Sequence, residues 1–348
     1  MLDLSSQSHN YFLACYSIAL VQGDTILGGT IRSRTLRHYI NDAKQLFTAL
    51  KVPTLVHGNT DYTDIVYDAV KKYETVENRR NMISDSMMTW LLFSSKKSSL
   101  DSAVSAMVDW IILGRYTGYR KSEWCQSSQT SFETVDEWPG KPPRAMMLGD
   151  FTFLDKNERR ISFNKKCLHN NIHHVIIQWR FQKNGQNGEE VTFTRDMINP
   201  QYCPVLAAYR ICLRALRLNV PRSDPIAVFS RKDNRLFITD RLLTRILREA
   251  AMAVLNLGPD DKELSRWSTH SIRVTAANLL HRARFADSFI QKRLRWRSTS
   301  FLGYLRNTIY AGVQDSKGLQ ISDSNLPPMS ERVYRKEEPH ETIVALST

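Results

Sequence analysis

Gly114-Arg115-Tyr116-Thr117-Gly118-Tyr119-Arg120-Lys121-Ser122-Glu123-Trp124 is the stretch on which the reading of this chain turns. It comes directly after Ser102–Leu113 (SAVSAMVDWIIL), an apolar run that predicts a buried helix. Two glycines interrupt that helix, an arginine projects from the turn, and Ser122 is placed to cap the next helix. Alone, the segment equally describes a joint between two helices with solvated charges. Two later stretches bear on the choice. Thr269-His270-Ser271-Ile272-Arg273 opens a predicted helix; residues three apart share a helical face, so His270 and Arg273 can serve one phosphate beside a helix N-terminus. In Leu294-Arg295-Trp296-Arg297-Ser298-Thr299-Ser300-Phe301-Leu302-Gly303-Tyr304-Leu305-Arg306, Ser298 is suited to cap a helix that carries Tyr304 about two turns along.

Around these stretches the pattern is helical, with a short strand-forming middle. Helices are predicted over 9–22, 30–50 and 61–73, and over a fourth segment capped by Ser84 or Asp85 and running to about Phe93. Phe12, Tyr16, Leu20 and Val21 form the expected apolar face of the first; Leu36, Tyr39, Ile40, Ala43, Leu46 and Phe47 form that of the second. The polar stretch Ser94–Asp101 (SSKKSSLD) reads as a linker. The organisation expected is a helical unit at 1–95, a second domain at 96–312 and a tail at 313–348. In the second domain, 151–154 and 160–163 read as short strands. The alternating run His174–Phe181 (HVIIQWRF) and Glu190–Thr194 flank an Asn/Gly-rich turn, which predicts a β-hairpin with Lys183 at its tip. Further helices are predicted at 202–217, 239–255, 270–283, 285–294 and 298–309. The fold class expected is mainly α with a small β-sheet.

The chain has 348 residues, 48 Lys plus Arg against 35 Asp plus Glu, and a formal net charge of +13. With 42% hydrophobic residues it has the make-up of a folded protein of about two domains, not of a disordered or disulfide-built one. The basic balance points to a polyanionic partner, nucleic acid first. Five cysteines, none in a C-x-x-C pair, suit a reducing compartment, and the expectation is an intracellular protein without a membrane span or signal peptide. Cys167, His169, His173 and His174 lie close together, but C-x-H-x3-H-H lacks a zinc-site spacing and reads as the lead-in to a strand.

The order and spacing of an Arg in TGYRKSEW, a hairpin Lys in FQKNGQNGEE, a His-x-x-Arg, a Trp and a Tyr eight residues later resemble the tyrosine recombinase, or phage integrase-like, family over roughly 100–310. The wording around Trp296 and Tyr304 looks especially like eukaryotic recombinases of Crypton-type transposons. The resemblance implies a C-shaped DNA clamp made of a helical core-binding domain and a catalytic domain. It implies the catalytic set Arg120, Glu123, Lys183, His270, Arg273, Trp296 and Tyr304, and no metal or cofactor. Two departures stand out. The Trp-to-Tyr spacing is one shorter than in many prokaryotic members, which leaves Tyr310 as the alternative nucleophile. Leu294-Arg295 replaces the Leu-Gly that usually precedes this position, so the turn before Trp296 is expected to differ.

Those residue types suit strand cleavage and rejoining. A side-chain nucleophile conserves the energy of the broken phosphodiester in a covalent 3′-phosphotyrosyl bond. Guanidinium forks match phosphate geometry and stay charged. His270 can share the clamp or accept the tyrosine proton, and Lys183 is suited to protonate the leaving 5′-oxygen. Trp296 offers an indole donor, and Glu123 is expected to orient its neighbours. Double-stranded DNA is the expected partner, contacted by Arg32, Arg34, Arg37 and Lys44 of the second helix and by Arg241, Arg245 and Arg248. The resemblance further implies a homo-tetramer on two DNA sites, a mobile element as source and, in a eukaryote, the nucleus. The competing readings are a domesticated DNA-binding relative without turnover and a type IB topoisomerase.

Overall fold

The computed structural model describes residues 6–24, 31–50, 62–74, 79–182, 185, 187–296, 301–302 and 305. The chain divides between Asn78 and Arg79 into two units. Among the described residues no helix is long and apolar enough to cross a membrane.

The first unit packs three helices, α1 (Ser6–Gln22), α2 (Ser33–Ala49) and α3 (Tyr62–Tyr73), against one another. Its core is small: Leu20, Leu36 and Ile40, backed by Val21, Ile31, Val66 and Val70. Glu74, just past α3, ties the start of α2 by accepting from the Ser33 backbone N–H (3.1 Å) and hydroxyl (2.7 Å). The buried face of α1 is turned from the expected one. Leu13, Ala14, Ser17 and Leu20 are buried, while Phe12 and Tyr16 are exposed. Apolar residues on nearly every side of this helix leave its periodicity without a preferred direction.

In the second unit the middle helix is apolar on nearly every side, as suits a buried helix, with one buried carboxylate, Asp109, among its apolar residues. α4 (Asp85–Lys96) packs on α5 (Ala103–Thr117), and α5 is buried without a break from Ser105 to Gly114. α4 also packs on α7 (Asp240–Leu255), so the helix after Ser84 belongs with the second unit and not with the first three. The serine-rich stretch 94–101 is therefore a tight connection between α4 and α5. Its serines bond within the connection, the Ser98 hydroxyl donating to the Ser94 carbonyl (2.9 Å) and the Ser99 hydroxyl accepting from the Asp101 N–H (3.3 Å), and just past it Ser102 caps α5 by accepting from the Ser105 N–H (3.2 Å).

α6 (Pro204–Arg217) packs on α5 and also contacts a three-stranded antiparallel sheet, β1 (Phe151–Leu154), β2 (His174–Trp179) and β3 (Glu189–Thr194), in that order. The register pairs Phe151 with Ile177, and Val175 with both Phe153 and Phe193, so one face carries the apolar side chains. The predicted strand at 160–163 reduces to a single bridge, Leu154 with Arg160. A second hairpin, β4 (Val228–Arg231) and β5 (Asn234–Phe237), was not expected. Its two-residue turn puts Lys232 and Asp233 at positive φ, a conformation the sequence would announce with Asn-Gly. α8 (Ser271–Arg282) crosses α5, and α9 (Asp287–Arg293) packs on α8. The helix expected at 298–309 and the tail lie outside the described residues, apart from 301–302 and 305.

Candidate active site

The turn after α5 is built by its glycines. Gly118 takes φ 54°, the left-handed conformation that ends a helix, and its N–H returns to the Gly114 carbonyl at 2.8 Å. A Cβ at Gly118 would lie 2.5 Å from Leu294 Cδ2, and one at Gly114 would lie 2.4 Å from Ile272 Cγ2. The two glycines thus let α5 approach both α8 and the turn after α9. Tyr119 then locks the exit. Its hydroxyl donates to the Trp110 carbonyl, and its ring packs on Trp110 (5.8 Å) and Trp124 (5.2 Å), which stack on each other at 4.9 Å.

Arg120 emerges from this seat. Its backbone N–H donates to Glu123 Oε2 (2.9 Å), Nη1 to Glu123 Oε1 (3.2 Å) and Nη2 to the Arg295 carbonyl (3.3 Å). Arg273 sits in the first turn of α8 and is buried. Its Nη1 donates to the Gly118 carbonyl (2.7 Å), its Nη2 to the Leu294 carbonyl (3.3 Å), and its guanidinium lies 4.7 Å from the Trp296 ring centre. The predicted arginines therefore meet on neighbouring peptide carbonyls of one turn. Trp296 stacks on Phe301 at 5.4 Å, and Phe301 belongs to a second apolar cluster with Ala276, Ala277, Ile290 and Leu294.

His270 is the residue immediately before α8, three positions ahead of Arg273. Its imidazole is held down from the ordinary 6.5 to about 4, first by burial and then by the positive charges of Arg273 and Arg80. It is neutral at pH 7, with one ring nitrogen able to donate a hydrogen bond and the other to accept one. The Cys125 thiol, pushed up to about 12 mainly by burial, is no nucleophile near neutral pH. Lys183, Tyr304 and the alternative Tyr310 lie outside the described residues. The hairpin below Lys183 is closed by the Gly188 N–H donating to the Trp179 carbonyl at 2.7 Å.

Two members of the site escaped sequence reading. Trp179, at the end of β2, donates from Nε1 to Glu123 Oε2 (3.3 Å). Arg295 occupies the position where a glycine was expected. It adopts φ 57°, is 4% exposed, pairs with Glu123 Oε2 at 3.0 Å and lies 3.9 Å from the Trp179 ring centre. The sequence signal for Trp179 was its inward register on an alternating strand. For Arg295 it was the departure from glycine itself.

The candidate DNA contacts are placed less uniformly. Arg241 and Arg245 are exposed and line an open cavity of about 590 Å³ with Arg248 and Lys262, alongside the acidic Asp240, Glu249, Asp260 and Asp261. Arg248 is partly committed to the fold, donating to the Trp267 carbonyl at 3.3 Å. In the first unit Arg34 is exposed, while Arg32 and Lys44 are half-buried. Arg37 is exposed, but it pairs with Asp64 (3.6 Å) and lies over the Tyr67 ring (4.1 Å). His174, one of the residues weighed for zinc, starts β2 and contacts Thr194 across the sheet.

No protein-family model and no curated protein matches the chain. Solved structures do resemble it. The Tn1549 transposon integrase in complex with a circular intermediate DNA aligns over 91% of this chain and 86% of its own, at 10% identity and a TM-score of 0.45. A lambda integrase dimer bound to a core site aligns over 87% and 89%, at 13% identity and a TM-score of 0.39. XerA recombinase aligns over 92% of both chains, at 12% identity and a TM-score of 0.38.

Proposed function

We propose that this chain cuts and rejoins double-stranded DNA through a covalent phosphotyrosyl intermediate. The observation that carries the reading is the convergence of Arg120 and Arg273, from distant motifs, on the adjacent carbonyls of Leu294 and Arg295. Arg120, 18% exposed, offers its guanidinium to a non-bridging phosphate oxygen, and Arg273, buried on peptide carbonyls, adds a second positive charge that stabilises a pentavalent transition state. His270 shares the phosphate clamp as a neutral hydrogen-bond donor, or accepts the proton of the attacking Tyr304 hydroxyl once the negative charge of the phosphate offsets the Arg273 and Arg80 charges that hold its imidazole down. Tyr304 Oη bonds to phosphorus, the bond to the 5′-oxygen breaks, and Lys183 protonates that leaving oxygen. A 5′-hydroxyl from a second strand reverses the step. Glu123 holds Arg120, and Trp296 packs against Arg273. In this reading the protein serves a mobile element, works inside the cell (in the nucleus of a eukaryotic host) and acts as a homo-tetramer on two DNA sites.

Covalent trapping tests it. The protein is mixed with nicked duplexes made from DNA flanking its gene and run on a denaturing gel. The expected result is a protein–DNA adduct that disappears in Tyr304→Phe and persists in Tyr310→Phe. Loss in Tyr310→Phe alone would keep the chemistry and move the nucleophile. Tight, salt-sensitive binding with no adduct on any flanking duplex would replace the enzyme with a DNA-binding relative.

A further inference from the structure

Arg295 is out of place by ordinary rules. A non-glycine residue at φ 57° carries a backbone cost that glycine does not. Burying its charge adds a desolvation penalty that must be met by partners. A glycine would make the same turn with neither cost, so the side chain needs a reason. Its contacts supply one. Glu123 Oε2 receives three donors: Arg295 Nη2 (3.0 Å), Trp179 Nε1 (3.3 Å) and the Arg120 N–H (2.9 Å). That fixes the carboxylate so that Oε1 faces Arg120 Nη1 at 3.2 Å. The Arg295 backbone carbonyl accepts from the other end of the same guanidinium, at 3.3 Å. Arg295 is itself held by the Thr117 carbonyl (3.4 Å) and the Trp179 ring.

We propose that Arg295 is a positioning residue of the phosphate site: through the Glu123 carboxylate and its own carbonyl it sets the Arg120 guanidinium, and its charge offsets the glutamate that would otherwise neutralise Arg120. The assignment rests on the phosphoryl-transfer reading above. It goes beyond it by naming a residue that does not touch the phosphate yet sets how strongly the phosphate charge is felt. Burial holds the Arg295 guanidinium below its usual range while Glu123 opposes that fall, in keeping with a charge retained for its partner.

The test compares the parent, Arg295→Gly and Arg295→Lys on duplexes with either a normal phosphate or a neutral methylphosphonate at the scissile position. The expected result is an adduct-forming rate lowered by about 100-fold in Arg295→Gly on phosphate, and by much less on methylphosphonate. Arg295→Lys, which keeps the charge and loses the fork, should recover part of the rate. Equal losses on both duplexes would show a merely structural role and overturn the proposal, as would no loss. If Arg295→Gly does not fold, Arg295→Lys carries the same comparison. If the parent forms no adduct, the enzymatic reading fails, and the proposal is judged on calorimetric binding of orthovanadate. Arg295→Gly and Arg120→Lys should then each weaken binding about tenfold, with the double variant no worse than the weaker single. Additive losses, or unchanged binding in Arg295→Gly, would overturn it.

Discussion

Two carboxylates in the second unit each hold two arginines, and they do different work. Asp109, in the middle of α5, takes Arg210 Nε and Arg214 Nη2, each at 2.5 Å. Both arginines sit one turn apart on the same face of α6, so a rigid helix delivers them together. Arg214 is 3% exposed and its Nε donates to the Leu100 carbonyl at 2.9 Å. This triad joins α5 to α6. Glu123 takes Arg120 and Arg295, which come from two turns at distant points of the chain. Here one side chain, Arg120, remains 18% exposed and donates to the carbonyl next to the one that Arg273 uses. The same charges fasten the fold when helices supply them, and gather at the candidate site when turns do. Turns can present backbone carbonyls and bring sequence-distant motifs together; the interior of a helix has its carbonyls in use.

The contrast can be broken from either side. The largest effect is expected for Asp109→Ala, which leaves Arg214 buried without its carboxylate and should lower unfolding free energy by about 3–5 kcal/mol in urea titration. The adduct-forming rate per folded molecule should stay near the parent's. Glu123→Gln also leaves a buried arginine, Arg295, without its counter-charge, so a stability loss of similar size, about 3–5 kcal/mol, is expected; what sets it apart is an adduct-forming rate per folded molecule lowered by about 100-fold. A rate loss in Asp109→Ala as large as that in Glu123→Gln would erase the distinction. Gly118→Ala strains the turn and drives a methyl into Leu294, so a loss of about 2 kcal/mol is expected in thermal or urea unfolding.

The site should also respond to pH. A histidine whose folded value lies below its unfolded one contributes stability that is present above 6.5 and lost as pH falls through about 4. Between pH 7 and pH 4.5 the parent should lose about 2 kcal/mol more than His270→Asn, read from paired urea titrations. The smallest effect is expected in the first unit. Arg37→Ala removes an exposed pair with Asp64 and should change stability by under about 0.5 kcal/mol, a value that double-mutant cycles can measure.

The sequence is legible wherever a local pattern carries the information. The buried helix before Gly114 and the hairpin over 174–194 each had a periodicity to announce them, and the grouping of Arg120, His270, Arg273 and Trp296 was what the resemblance to a family implied. The unit boundary did not. Serines over 94–101 look like a linker because capping hydroxyls and solvated loops draw on the same residue. The face of α1 was lost for the opposite reason, since apolar side chains surround it. Arg295 and Trp179 are tertiary: each gains its role from a carboxylate far away in sequence, and no window along the chain contains both partners.

The nested Trp110–Tyr119–Trp124 rings behind Arg120 carry one more consequence. Parallel indoles at 4.9 Å, with an interplanar angle of 18°, are close enough for their electronic transitions to couple. The second unit therefore carries its own optical signal a few residues from the arginines, and near-ultraviolet circular dichroism should register any loosening of that seat without a label.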